Sequence, residues 1–325
     1  MKVISFIFFV NFVHFLNAQF LYSELKFSDL NCHARGIISV NKAIFLSTNI
    51  GKVYKINPKN GKFKEVDIYN GKISGELRDV DFSGGKLICM ESGEIGFIYV
   101  QNSRIQLGNV FLNGISFYEN VGFAMGDQVD GYFSLFYTIN SGESWSPCSG
   151  KIIATIGENG FAASGSSVRC INDSTFIFVT GGSVSNFYKS TNRGVTWEKY
   201  PIPFLGSESS GAFSFVYTPQ NQVVVVGGNY QETENKNRNC FVSHNGGVDW
   251  VVPQNGPSGY RSCVLYSNGI YFTCGTNGLE YSKDGGKNWI HINANNYISM
   301  CFTKNELFVS TNENKIHIYK LNQFQ

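Results

Sequence analysis

The feature that most constrains this chain is an eight-residue frame that occurs four times. Each copy has Ser or Thr at position one, Asn or Asp at position three, Gly at position five and Trp at position eight. An Asn or Asp side chain accepts hydrogen bonds from nearby backbone N–H groups, Gly supplies positive φ, and Trp buries a large apolar surface. The frame therefore predicts a tight β-hairpin that its tryptophan fixes against the surroundings.

These four hairpins, called box hairpins below, contain every tryptophan of the chain. Successive tryptophans are separated by 52, 53 and 39 residues, a repeat length typical of propellers and solenoids. The residues of the frame are Thr138, Asn140, Gly142 and Trp145; Ser190, Asn192, Gly194 and Trp197; Ser243, Asn245, Gly247 and Trp250; and Ser282, Asp284, Gly286 and Trp289. We expect them to be structural and to lie on the outer rim of each repeat.

Short apolar strands separated by Gly, Asn and Asp turns make up the rest of the chain, and a helix-length amphipathic segment is hard to find. Seven segments align as the first strand of a repeat, beginning near residues 35, 77, 112, 160, 211, 260 and 297. This alignment predicts an all-β fold, a seven-bladed β-propeller, with six or eight blades as alternatives. The N-terminal stretch "FLYSELKF" is expected to add an outer strand to the last blade, which leaves no long open edge.

The N-terminus has the pattern of a secretory signal. Lys2 precedes an apolar run, and Ala18 offers a small residue before the predicted cleavage site. We therefore expect a signal peptide at residues 1–18, one secreted propeller domain at residues 19–325, and no stable membrane insertion. The chain has a net charge of only +2 and no cluster of Lys and Arg residues, so we expect no nucleic-acid partner. We also expect a monomer.

Eight cysteines are present, and they form no CxxC metal pair. No glycine motif of the GxGxxG type follows a strand, so neither a metal nor a cofactor is predicted. Cys263 and Cys274 flank an Asn268–Gly269 pair, whose type I′ turn would place them opposite each other. A disulfide and a pair of apolar thiols remain equal alternatives there, and a disulfide between Cys32 and Cys301 is a further one.

The box frame resembles the Asp box, or bacterial neuraminidase repeat, although three copies have Asn where that family usually has Asp. Further motifs follow in the order "GDQVDGYF" (126–133), "GENGFAASG" (157–165), "VTGG" (179–182), "VVGGNY" (225–230) and "GYRS" (259–262). This order resembles secreted relatives of the photosystem II stability/assembly factor propellers over nearly the whole mature chain. The resemblance implies the fold, but function must come from the site, because propellers host unrelated activities.

One position in the aligned repeats carries Arg35, Arg78 and Arg261. It starts the innermost strand, which lines the central channel, so three guanidinium groups are expected to converge on an anion-binding mouth. The other residues expected at this mouth are Asp79, Asp127, Glu158 and Tyr260. The alternative is a ring of structural ion pairs between blades.

These features favour a secreted binding or scaffold module whose partner at the channel mouth is a protein or an acidic glycan. The alternative is a sialidase-like glycoside hydrolase, because sialidase propellers carry the same boxes and use an arginine triad. The chain departs from that family, since "ARGIIS" stands where an Arg-Ile-Pro signature is expected and the blade count exceeds six. We therefore assign no catalytic residue and lean against an enzyme.

Overall fold

The computed structural model describes residues 20, 22–27, 31–58 and 60–324, which form seven antiparallel sheets and one short 3₁₀ helix, Leu321–Phe324. Each sheet contacts the next in a closed ring, so the sheets are the blades of a seven-bladed β-propeller, as predicted. The predicted signal peptide at residues 1–18 lies outside the described residues. Within the described ranges, no helix has the length and apolar character needed to cross a membrane.

The strands of each blade are given from the innermost outwards. Blade 1 contains Ala34–Val40, Ala43–Thr48, Val53–Ile56 and Phe63–Glu65, and blade 2 contains Glu76–Ser83, Lys86–Ser92, Gly96–Val100 and Ser103–Gly108. Blade 3 contains Leu112–Tyr118, Val121–Val129, Tyr132–Thr138 and Ser146–Pro147, and blade 4 contains Val168–Cys170, Phe176–Val179, Ser185–Ser190 and Glu198–Ile202. Blade 5 contains Ser210–Tyr217, Val223–Asn229 and Cys240–Ser243, to which Gly181–Gly182 and Glu158–Asn159 are added on the inner side. Blade 6 contains Cys263–Ser267, Ile270–Gly275, Gly278–Ser282 and Ile290–Asn293, and blade 7 contains Tyr297–Phe302, Glu306–Thr311, Lys315–Lys320 and Tyr22–Lys26.

The N-terminal strand closes the ring, as the sequence predicted. Tyr22–Lys26 pairs antiparallel with Lys315–Lys320, so blade 7 is assembled from both ends of the described chain. Within this pairing Glu24 lies opposite His317, and Glu24 Oε2 is 3.3 Å from His317 Nε2. The two chain ends are thereby held in one sheet.

All four box hairpins share one hydrogen-bond pattern. In the last copy, Ser282 Oγ donates to Asp284 Oδ1 at 2.8 Å and accepts from the Gly286 N–H at 3.1 Å. Asp284 Oδ1 also accepts from the Asn288 N–H at 3.0 Å. The same three bonds occur in the copies that have Asn at position three. Asn therefore replaces Asp without loss of the acceptor on which the turn depends.

Each box tryptophan packs at the boundary between its own blade and the preceding one. Trp289 of blade 6 shares an apolar cluster with Val224 and Val242 of blade 5, and its Nε1 donates to the Gly286 carbonyl oxygen at 3.1 Å. Gly286 has φ 84 and approaches Val242 so closely that a Cβ atom would lie 3.1 Å from it. No box residue lines either cavity of the central channel described below. The boxes therefore join neighbouring blades.

The predicted hairpin of blade 6 is present in the expected register. Asn268 and Gly269 have φ values of 50 and 86, and the hairpin pairs Cys263 with Cys274. Both sulfur atoms are thiols, and no disulfide joins any two cysteines of the described ranges. Cys301 lies in the apolar cluster that also contains Cys32.

We predict that Trp289→Ala lowers the free energy of unfolding by about 3–5 kcal/mol, because it empties a well-packed space between two blades. Trp289 is only 8% exposed, whereas the control residue Ile156 is 94% exposed. Urea denaturation of both variants is the measurement, and Ile156→Ala should change stability by less than about 0.5 kcal/mol. A loss below about 1 kcal/mol for Trp289→Ala would contradict the assigned role of the box.

Candidate ligand-binding site

In five blades the innermost strand has a β-bulge near its start. The bulged residues, called the bulge ring below, are Arg35, Arg78, Asn113, Phe213 and Ile298. All five line one cavity of about 540 Å³, the upper cavity. A bulge inserts one residue and redirects its side chain. The repeated bulge therefore turns one side chain per blade into the channel mouth.

Aromatic side chains form one wall of the upper cavity. Phe161 stacks on Phe213 with ring centroids 4.0 Å apart, and Tyr260 contacts Phe213 edge-on at 4.8 Å. Tyr230 lines the same wall and meets both phenylalanines edge-on. This wall offers flat apolar surface to a ligand.

Two arginines form the opposite side. Arg78 Nη2 lies 2.9 Å and Arg35 Nη2 3.4 Å from Glu76 Oε2, so two cations share one carboxylate. Arg78 also donates to the Ala162 carbonyl oxygen at 3.1 Å and lies over the Phe111 ring. The Nε atoms of Arg35 and Arg78 are buried and have no hydrogen-bond partner among the described residues. With two guanidinium groups on one carboxylate, this side of the cavity has an excess positive charge.

The floor of the upper cavity is a segment that the sequence alignment misassigned. Residues 160–165 were predicted to form the first strand of blade 4, but the innermost strand of that blade is Val168–Cys170. Residues 160–166, called the channel segment below, instead run across the channel. Their side chains are small apart from Phe161, so the segment fits in the space between the blades.

Contacts with the opposite blades hold the channel segment in place. Ser164 Oγ donates to the Ser262 carbonyl oxygen of blade 6 at 2.7 Å, and Ser299 Oγ of blade 7 donates to the Ser164 carbonyl oxygen at 3.3 Å. Gly165 has φ 71 and approaches Asp79 of blade 2 so closely that a Cβ atom would collide with the carboxylate. Residues 160–163 line the upper cavity, whereas residues 164–166 line a second cavity of about 610 Å³, the lower cavity.

The structure brings Arg35, Arg78 and Tyr260 together at the upper cavity, but it does not bring Arg261 there. Arg261 is fully buried, and its Nη2 and Nε lie 2.7 and 3.1 Å from Glu280 Oε2. The neighbouring residue, Ser262, lines the cavity instead. A shift of one residue along a strand turns a side chain to the opposite face. The predicted convergence of three arginines is therefore wrong, because Arg261 lies one residue before the position that lines the cavity in blade 6.

Two of the predicted acids lie close to the channel without entering the upper cavity. Asp79 lines the lower cavity, where its oxygens accept from the Val80 and Ile115 N–H groups at 2.8 and 2.9 Å. Asp127 lies behind Asn113 of the bulge ring and accepts from its Nδ2 at 2.7 Å. Burial raises the pKa of the Asp79 carboxyl and that of the Asp127 carboxyl above the usual value.

Glu158 has a structural role inside the fold. Its Oε1 accepts from Thr180 Oγ1, Asn186 Nδ2 and Tyr188 OH at 2.6, 2.8 and 2.9 Å. Burial alone raises the pKa of Glu158, but these donors outweigh it and lower the pKa. It does not line the upper cavity, contrary to the prediction.

Sequence reasoning missed most of the aromatic wall. Phe213 belongs to the bulge ring, but it was not among the residues expected at the channel mouth. Phe161 was assigned to a strand, and Phe111 and Tyr230 lie in connections outside the aligned columns. Tyr260 is the residue of this wall that the sequence placed at the channel mouth, and Tyr230 ends the motif "VVGGNY".

No protein-family model matches this chain, and no curated protein matches it in sequence. Among solved structures, it is similar to YCF48 bound to D1 peptide, at 12% identity and a TM-score of 0.63, covering 92% of this chain and 94% of that chain. Virginiamycin B lyase from Staphylococcus aureus has 12% identity and a TM-score of 0.68, covering 93% and 99%. The WD40 β-propeller domain of Doa1 has 11% identity and a TM-score of 0.63, covering 93% and 97%. Such low identities show the fold alone, so the class defined here is that of the β-propellers.

We predict that Arg261→Ala lowers the free energy of unfolding by about 3–5 kcal/mol, because it leaves the Glu280 carboxylate buried without its cation. Chemical denaturation of the variant is the measurement. Arg35→Ala is the matched control, since Arg35 shares a partly exposed carboxylate, and it should cost less than about 1 kcal/mol. Equal losses in the two variants would refute the distinction between a structural and a cavity arginine.

Proposed function

We propose that this protein is a secreted binding module that takes an acidic group of a partner protein into the upper cavity. The observation that carries the proposal is the pair of arginines, Arg35 and Arg78, which line one cavity and share the single carboxylate of Glu76. The excess positive charge on this side of the cavity favours an anionic ligand. Guanidinium groups also match the planar geometry of a carboxylate.

The opposite wall supports a protein ligand. Phe161, Phe213 and Tyr260 present aromatic surface across the cavity from the arginines. A peptide that has an acidic residue beside an apolar or aromatic one complements both sides at once. The structurally similar YCF48 is described with a bound D1 peptide, which supports a peptide ligand, and the four hairpins support assignment to the Asp-box repeat. An acidic glycan offers a carboxylate of the same kind and is the second arm of the test below.

The hydrolase alternative receives no such support. Among the described residues, the acid that contacts the cavity arginines is Glu76, and both arginines bind it. A retaining glycosidase needs two carboxyl groups about 5–5.5 Å apart. Here Asp127 is hydrogen-bonded to Asn113, and Glu158 belongs to a separate hydrogen-bond network with Thr180. We therefore propose binding rather than hydrolysis for this site.

We further propose that the mature chain begins near Gln19 and is exported. In support, Phe20 stacks on Phe324 with ring centroids 4.8 Å apart, so the predicted cleavage site retains a residue that packs in the core. Mass spectrometry of the N-terminus in the native host is the test. Recovery of Met1 on the folded, cell-retained protein would refute the proposal.

We predict that Arg35→Ala or Arg78→Ala weakens binding of an acidic, aromatic-containing peptide by about tenfold or more, because a charge-assisted hydrogen bond is lost. The probes are a library of short peptides in which Asp or Glu flanks Phe or Tyr, their Asn/Gln counterparts, and a sialylated oligosaccharide. Titration calorimetry measures the dissociation constants. Lys304→Ala, in an exposed turn of blade 7, is the charge-matched control and should leave affinity unchanged.

Two outcomes discriminate between the ligands. Binding of the acidic peptides but not of their amide counterparts supports the proposed protein ligand, whereas binding of the oligosaccharide alone supports the glycan. Binding that is insensitive to both arginine substitutions would rule out the upper cavity as the site.

A further inference from the structure

The lower cavity contains a cysteine in an unusual setting. Cys263 lines this cavity together with Arg169, on the far side of the channel segment from the arginine site. Its partner in the register of the blade 6 hairpin is Cys274, which lies directly opposite on the paired strand. Directly opposed residues of antiparallel strands have Cα atoms within the range that a disulfide spans.

Several donors surround the Cys263 sulfur. Besides the Cys274 thiol, these are Ser166 Oγ at 3.8 Å and the Met300 N–H. The Arg169 guanidinium is close enough to interact electrostatically with Cys263. The hydrogen bond from Cys274 is the main cause that lowers the pKa of Cys263 to about 7, in spite of its burial. Donors and a nearby cation are the surroundings in which a cysteine becomes a reactive thiolate.

The lower cavity also contains two acidic side chains. Asp79 and Asp81 also line it, and both act on Arg169. Each carboxylate accepts two backbone N–H groups, and burial raises the pKa of both, that of Asp81 to about 6. Their charge is thus largely offset by backbone donors and by Arg169.

Cys301 provides an internal comparison. It lines the same cavity as Cys263, but burial raises its pKa far above the usual range. Burial likewise raises the pKa of Cys89 and Cys240. Access to the cavity alone therefore does not activate a thiol here; the donors around Cys263 do.

We propose that Cys263 and Cys274 are a redox-active dithiol that is oxidised by small hydroperoxides entering the lower cavity. The Cys263 thiolate attacks the terminal peroxide oxygen, the O–O bond breaks, and the alcohol or water leaves after taking up a proton. The resulting sulfenic acid condenses with the Cys274 thiol, forming the S–S bond and releasing water. The dithiol loses two electrons and the peroxide gains them; an external thiol then reduces the disulfide to the dithiol and is itself oxidised.

The test uses the full-length protein, first reduced with dithiothreitol and then exposed to hydrogen peroxide at pH 7. Peptide mapping without reduction should show one disulfide linking Cys263 to Cys274, which dithiothreitol removes. In Cys274→Ser, dimedone should trap a sulfenic acid on Cys263, whereas Cys301→Ser should behave as the unmodified protein. Circular dichroism of each variant confirms that it is folded.

A second measurement needs no substitution. Alkylation of Cys263 by iodoacetamide should rise with pH to half its maximum near pH 7, and at pH 7 it should exceed that of Cys301 by about tenfold or more. The proposal is overturned if peroxide leaves both thiols reduced, if Cys263 is alkylated no faster than Cys301, or if dithiothreitol cannot reduce an existing disulfide in the folded protein.

Discussion

Each blade of this protein buries its faces against its two neighbours, so the structure depends on closure of the ring. The apolar cluster between blades 7 and 1 shows this dependence, because Phe308 and Ile316 from the C-terminal part pack with Ile44 and Leu46. Pairing of Tyr22–Lys26 with Lys315–Lys320 fixes that contact by hydrogen bonds. Hydrophobic burial supplies most of the stabilisation. The terminal strand completes the last blade, so that every blade face in the ring is buried against a neighbour.

The fold was predictable because the residues that form its turns lie close together in the sequence. Position-three acceptors, turn glycines and tryptophans recur at fixed offsets, and the Asn268–Gly269 turn gave the Cys263–Cys274 register correctly. The site was predictable only in part. A bulge changes the direction of a side chain, and the alternation of apolar and polar residues in the sequence does not reveal where a bulge occurs. Arg35 and Arg78 were placed correctly, whereas Arg261 falls one residue short of the cavity position in its blade. The channel segment was also missed, since its contacts are with distant blades.

The channel segment gives the propeller two separate chemical environments on one axis. Above it, arginine donors face an aromatic wall; below it, Cys263 lies among hydroxyl and amide donors. Because residues 160–163 and 164–166 line different cavities, the same short stretch is a wall of both. Its small side chains make that double role sterically feasible.

The bulge ring has a consequence for how such a protein diversifies. A bulged residue is an insertion relative to its partner strand, and here its side chain lines the upper cavity and belongs to no apolar cluster between blades. In this chain the same backbone position holds a cation at Arg35, an amide at Asn113, an aromatic ring at Phe213 and an aliphatic group at Ile298. Substitutions at these positions therefore change the chemical lining of the channel mouth without removing a member of the apolar clusters that join the blades.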